Sequence, residues 1–213
     1  MSSIIHFNNA GASLIERDVL DSQIAFLEAE YNEGAYEALH NRMDELQGTY
    51  DSLAKLLNCS SDEIAITDSA TRAWDLIFYS FEFQEGDIIL CSHVEYGANL
   101  IPLIQITSKT KAKIIPIPTL GGDIDLIEMN RIVSENDIGN GNNRIKLITI
   151  THIPTNGGLI NDAEGIGEIA SKYKIPYLLD ACQSVGQIPV DVKKIKCDFL
   201  TSTVSHDEYS VNN

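Results

Sequence analysis

Ile145-Lys146-Leu147-Ile148-Thr149-Ile150-Thr151 and, about thirty residues on, Pro176-Tyr177-Leu178-Leu179-Asp180 decide the fold. Both are short apolar runs with little alternation, the pattern of strands covered on both faces. Between them the spacing predicts a helix over 163–173. The same unit repeats outward: a strand over 64–67 before a helix over 70–81, one over 87–91 before a helix over 97–108, and one over 113–117 before a helix over 126–134. A further strand is expected over 197–202. Short apolar strands separated by amphipathic helices indicate an α/β fold, a mostly parallel sheet flanked by helices. Upstream, 1–15 reads as an extended arm, and helices are expected over 16–32 and 35–57. Asn136-Asp137-Ile138-Gly139-Asn140-Gly141-Asn142-Asn143 reads as a polar surface loop, too short to separate domains. The domain layout is therefore an arm, one α/β domain over 16–203 and a polar tail over 204–213.

Composition narrows the class. A chain of 213 residues with 44% hydrophobic and 22% charged residues has the make-up of a soluble globular protein. The net charge of −16 is dispersed, which argues against nucleic acid or an anionic membrane surface as partner. No apolar run approaches the length of a bilayer span, and Met1-Ser2-Ser3-Ile4-Ile5-His6 has neither the basic nor the apolar region of a signal peptide. Cys59, Cys91, Cys182 and Cys197 show no paired spacing and are expected to be free thiols in a reducing cytoplasm. No metal site is expected.

In parallel sheets ligands collect where strands end at their carboxyl side, and the unusual residues of this chain fall there. Thr67-Asp68-Ser69-Ala70-Thr71 opens a helix after a strand, so its backbone N–H groups suit an anion, or Ser and Thr simply cap the helix. Tyr96, in the loop after the second strand, can cover a planar ring or pack on its own loop. His93 is closer to the strand end and reads as structural. Thr155-Asn156-Gly157-Gly158 is a donor-rich turn. Asp180 follows an apolar strand directly, where a carboxylate calls for a cationic partner unless it caps the next helix.

The ordered set Asn8-Asn9-Ala10-Gly11-Ala12-Ser13, Gly34-Ala35-Tyr36-Glu37, Ser69-Ala70-Thr71, Glu95-Tyr96-Gly97-Ala98-Asn99, Thr155-Asn156-Gly157-Gly158, Asp180-Ala181-Cys182-Gln183 and Asp198-Phe199-Leu200-Thr201-Ser202-Thr203 resembles the class V aminotransferase group of fold-type I pyridoxal-phosphate enzymes. That group includes cysteine desulfurases, selenocysteine lyases and related carbon–sulfur lyases. The resemblance spans residues 6–203. It implies pyridoxal phosphate (PLP) as cofactor, a small amino acid as substrate, a cytoplasmic location and a homodimer. Residue by residue, it implies that Ala70 and Thr71 receive the phosphate and that Thr203 completes the phosphate cup. Tyr96 takes the slot of the ring-stacking aromatic or histidine. Thr155 or Asn156 reaches the ring hydroxyl, Asp180 pairs with the pyridine nitrogen, Gln183 bonds the ring oxygen, and Asn8 and Asn9 line the substrate side.

Beyond Thr203 the resemblance lapses. His206 stands where the family carries the lysine that holds the cofactor covalently, and no lysine follows Lys196. An imidazole cannot make that linkage or replace the amine in proton transfer with the same geometry. The family pattern further implies a strand between those matching 197–202 and 64–67, and a small C-terminal domain, neither of which the sequence carries. The expectation is a large domain truncated before the lysine, inactive in transamination or desulfuration. The alternative is a non-catalytic remnant that binds PLP weakly or associates with an intact paralogue.

Overall fold

The computed structural model describes residues 5–139 and 142–204, which form two compact units divided between Ala65 and Ile66. In the first, α1 (Arg17–Glu33) and α2 (Ala35–His40) meet at Gly34, whose φ of 96° is a conformation that L side chains rarely adopt. α3 (Met43–Leu57) follows. The helix expected over 35–57 is thus interrupted at Asn41 and Arg42, where the Arg42 side chain caps no α3 N–H and donates back to the Ala38 carbonyl of α2 at 3.2 Å. A short 3-10 turn, Ser61–Glu63, closes the unit with a reciprocal capping box between Ser60 and Glu63.

The second unit begins with α4 (Ala70–Phe78), β1 (Ile88–Cys91), α5 (Gly97–Thr110) and β2 (Lys113–Pro116). The hairpin β3 (Thr119–Leu120) and β4 (Asp123–Ile124), α6 (Leu126–Glu135), and the strand pair β5 (Asp137–Gly139) and β6 (Asn142–Asn143) come next. β7 (Ile145–Thr151), α7 (Ala163–Tyr173), β8 (Tyr177–Asp180), α8 (Val192–Ile195) and β9 (Phe199–Thr201) complete it. β7 and α7 fall on the expected residues. The stretch expected as a plain polar loop instead folds back through β5 and β6, with the Asn143 side chain donating to the Val133 carbonyl and accepting from the Ile145 N–H.

Five parallel strands make the main sheet, in the order β2-β1-β7-β8-β9. The expected strand over 64–67 is not among them. Those residues pair with no strand among the described ones, and β9 is the terminal strand on that side. An apolar run becomes a strand only when a neighbour takes up its N–H and C=O groups. The sheet is the centre of the core: Ile89, Leu90, Leu147, Ile148, Ile150, Leu178 and Leu179 have no solvent exposure.

On one face Trp74 and Phe78 of α4 and Leu103 of α5 pack against Ile89, Cys91, Leu147 and Leu178. Phe81, just past α4, meets Phe199 at the start of β9 edge-on at 6.0 Å. The end of α4 therefore lies at the amino end of the sheet, which directs its N-terminus toward the carboxyl ends. No helix among the described residues is long and apolar enough to cross a membrane.

Candidate functional site

The site is built on the α4–α5 face of the sheet. Leu178 packs under Trp74, so Asp180, two residues along β8, projects on the same side. Parallel register places Thr151 of β7 and Thr201 of β9 beside it on that face. The row at the carboxyl ends is therefore polar, where the sheet below it on that face is apolar apart from Thr149.

Asp180 is only 5% exposed. Its Oδ1 accepts from the Cys182 backbone N–H at 3.1 Å, and its Oδ2 accepts from the Asn99 amide at 2.6 Å. It is thus half cap and half something else. No Lys, Arg or His pairs with it among the described residues. The Cys182 thiol beside it is pushed above the ordinary thiol range by burial and then by the Asp180 charge, which keeps it protonated and inert as a nucleophile.

Glu95, in the loop between β1 and α5, reaches the same row. Its Oε1 accepts from the Ser92 N–H at 2.9 Å and the Thr151 N–H at 3.3 Å, and its Oε2 accepts from the Thr151 hydroxyl at 2.8 Å. Burial pushes its carboxyl up; the Ser92 and Thr151 hydrogen bonds pull it back, and nearby Asp180 adds to the rise. The Thr201 hydroxyl, register neighbour of Asp180, is buried and has no hydrogen-bond partner among the described residues. A buried carboxylate without a cation, next to an unsatisfied hydroxyl, is a place where a bound cationic group would lower the energy.

Around this centre the remaining expected residues take definite places. Ser69 caps α4 by accepting from the Arg72 N–H, which leaves the Ala70 and Thr71 amides in the first turn with no intrahelical acceptor. Tyr96 is the residue before α5 and 54% exposed, so its ring is available to cover a ligand. Thr155 and Asn156 are exposed at the tip of a turn closed by Gly157 and Gly158 N–H bonds to the Pro154 carbonyl. Gln183 is half-buried in the turn after β8, and Thr203 is half-buried just past β9. All of these belong to the second unit. Asn8 and Asn9 belong to the first, where the Asn8 carbonyl accepts from the Gly11 and Ala12 N–H groups. His93 is exposed, and His206 lies outside the described residues.

Sequence reasoning gave no role to Glu95, Asn99, Thr151 or His152. Glu95 carried the signal that exposed Asp180, an acid close behind an apolar strand. Asn99 carried none, because a neutral amide in the first turn of a helix is ordinary. His152 is 5% exposed, with Nδ1 2.9 Å from the Ser184 hydroxyl. Burial pushes it below the ordinary histidine value of 6.5. The unfolded chain then binds a proton that the folded chain resists, so its contribution to stability is complete above about pH 6.5 and lost as the pH falls through the lower folded value. Glu95 works in the opposite sense, favouring the folded state on acidification. Chemical denaturation at pH 7 and pH 5.5 is expected to show His152→Gln losing less stability on acidification than the unsubstituted protein. Parallel losses would remove His152 from this account.

Residues 5–206 match the model of the family described as aminotransferase class-V. The chain is 30% identical over 209 residues to a probable cysteine desulfurase of Synechocystis sp., covering 94% of this chain and 48% of the relative. It is 31% identical over 208 residues to a probable cysteine desulfurase of Borreliella burgdorferi, covering 92% and 47%. Among solved structures, a cysteine desulfurase of Thermococcus onnurineus in its apo form superposes with a TM-score of 0.80 at 22% identity, over 95% of this chain and 50% of the other. The cystine C–S lyase C-DES, in complex with cysteine persulfide, superposes with a TM-score of 0.82 at 18% identity, over 94% and 53%. At those identities the superpositions establish the fold. The chain spans about half the length of the curated relatives it matches.

Proposed function

Since this chain belongs to the aminotransferase class-V family, we propose that the carboxyl-end site of its sheet binds pyridoxal phosphate non-covalently, on a scaffold suited to carbon–sulfur chemistry of cysteine-like amino acids. The observation that carries the reading is Asp180, a buried carboxylate held by neutral donors and by no cation among the described residues. A protonated pyridine nitrogen is the group that such a site lacks. Bound there, PLP would supply an electron sink for a bond broken at the α-carbon of an amino acid.

The chain's own residues would divide the work. Asp180 holds the ring-nitrogen proton by staying anionic beside it. Ala70 and Thr71 amides, with the positive end of the α4 dipole, take the phosphate, and Thr203 closes that cup. Tyr96 covers the ring face, Thr155 or Asn156 reaches the ring hydroxyl, and Gln183 reaches the same oxygen from the β8 side. Tyr96→Ala is expected to weaken PLP binding by about 1 kcal/mol, roughly fivefold, through lost stacking. An unchanged dissociation constant in a PLP titration would place the ring elsewhere.

His206 stands at the position of the family's lysine, so loose binding and no turnover of cysteine by the purified chain are expected. Bound PLP should keep its free-aldehyde absorbance, and borohydride should leave no stoichiometric pyridoxyl-lysine. One singly labelled lysine found by mass spectrometry, together with release of sulfide or alanine from cysteine, would overturn this.

A further inference from the structure

We propose that Asn99 is a positioning residue: it fixes the Asp180 carboxylate toward the ring nitrogen while leaving its charge free for the cofactor. This rests on the PLP reading of the site. Asn99 is 2% exposed, and its amide lies 2.6 Å from Asp180 Oδ2 across 81 residues of sequence. A carboxylate only accepts hydrogen bonds, so the Asn99 amide nitrogen must be the atom that faces it.

With the Cys182 N–H on Oδ1, each carboxylate oxygen has at least one donor, the Cys182 thiol adds a further hydrogen bond, and rotation of the group is blocked from both sides. A carboxylate offers about four acceptor sites, so capacity remains for another donor. The choice of an amide matters. A Lys or Arg here would neutralise Asp180 and remove the reason for a cationic ring to bind. Asn99 orders the anion without discharging it. The same helical turn also sets the ring cover, because the Asn99 backbone N–H donates to the Tyr96 carbonyl at 2.9 Å. α5 is anchored there by buried Asn99, Pro102 and Leu103. The first turn of α5 thus links the residue over the ring face to the residue behind its nitrogen partner.

The test compares PLP with its carbocyclic analogue, in which C–H replaces the ring nitrogen, for wild type, Asn99→Leu, Asn99→Ala and Asp180→Asn. Wild type should prefer PLP. In Asn99→Leu the affinity for PLP should fall about tenfold or more, the worth of a hydrogen bond to a charged group, while the affinity for the analogue changes little. Asn99→Ala removes the same donor without forcing a branched side chain into its place and should lose the same preference, so the comparison survives if the leucine variant does not fold. An equal loss for both ligands, or none for either, would make Asn99 a structural residue only and overturn the inference. If instead Asp180→Asn binds PLP as tightly as wild type, or wild type does not prefer PLP, the placement of the ring nitrogen at Asp180 fails, whatever Asn99 does.

Discussion

Replacing Asp180 with alanine should abolish measurable PLP binding. Removing one member of a desolvated, hydrogen-bonded charge pair typically costs about 2–5 kcal/mol, or roughly thirtyfold to a few thousandfold in affinity. The site offers no substitute. Glu95, the other carboxyl of the row, already accepts from Ser92 and Thr151, and burial favours its protonated form. Alanine also leaves the Asn99 amide and the Cys182 N–H without acceptors, which loosens the site further. Asp180→Asn separates the two effects, since it removes the charge and keeps an acceptor for Asn99. The protein has one tryptophan, Trp74, buried in α4 on this face, so quenching of its fluorescence on titration reports binding without ambiguity of source. Equal affinities for wild type and Asp180→Ala would mean that the cofactor binds elsewhere.

How much of this was legible beforehand depends on the range of the interactions involved. β7 and α7 could be bounded from the sequence because each is a long, uniform segment with an unambiguous period and, for α7, an Asp162 cap. Asp180 could be picked out because a charge after an apolar strand contradicts its surroundings. The 64–67 run could not be judged the same way. Its strand character depends on a neighbour, and none of the described residues provides one. The break between α2 and α3 was invisible because Asn41-Arg42 contains neither Gly nor Pro. Asn99 was invisible for a different reason: its meaning lies wholly in a contact with Asp180, far along the chain. Propensity and pattern carry local preference; pairings across the fold are outside their reach.

Gly167→Ala should be the most damaging conservative substitution in the scaffold. Alanine normally stabilises a helix interior relative to glycine by about 0.5–1 kcal/mol. Gly167 lies inside α7, yet a Cβ there would stand 1.7 Å from the Ile195 carbonyl oxygen and 2.9 Å from its carbon, both backbone atoms that no rotamer change can move. α7 and α8 would have to part. That separation pulls on the segment leading into β9, where Asp198 exchanges hydrogen bonds with Tyr177: the Asp198 N–H donates to the Tyr177 carbonyl at 2.9 Å, and the Tyr177 N–H donates to Asp198 Oδ2 at 2.8 Å. Overpacking of this kind costs about 1–3 kcal/mol and more where backbone is the obstacle. Set against the helix gain, a net loss of roughly 1–3 kcal/mol is expected, seen as a fall in Tm of about 2–12 °C. Gly48→Ala in exposed α3, where nothing lies within 4 Å of the added Cβ, should move the other way by a few tenths to about 1 kcal/mol, read from amide exchange across that helix. A Gly167→Ala protein as stable as wild type would show that α7 and α8 do not make this close approach, and with it would go the reason that β9 enters the sheet where it does.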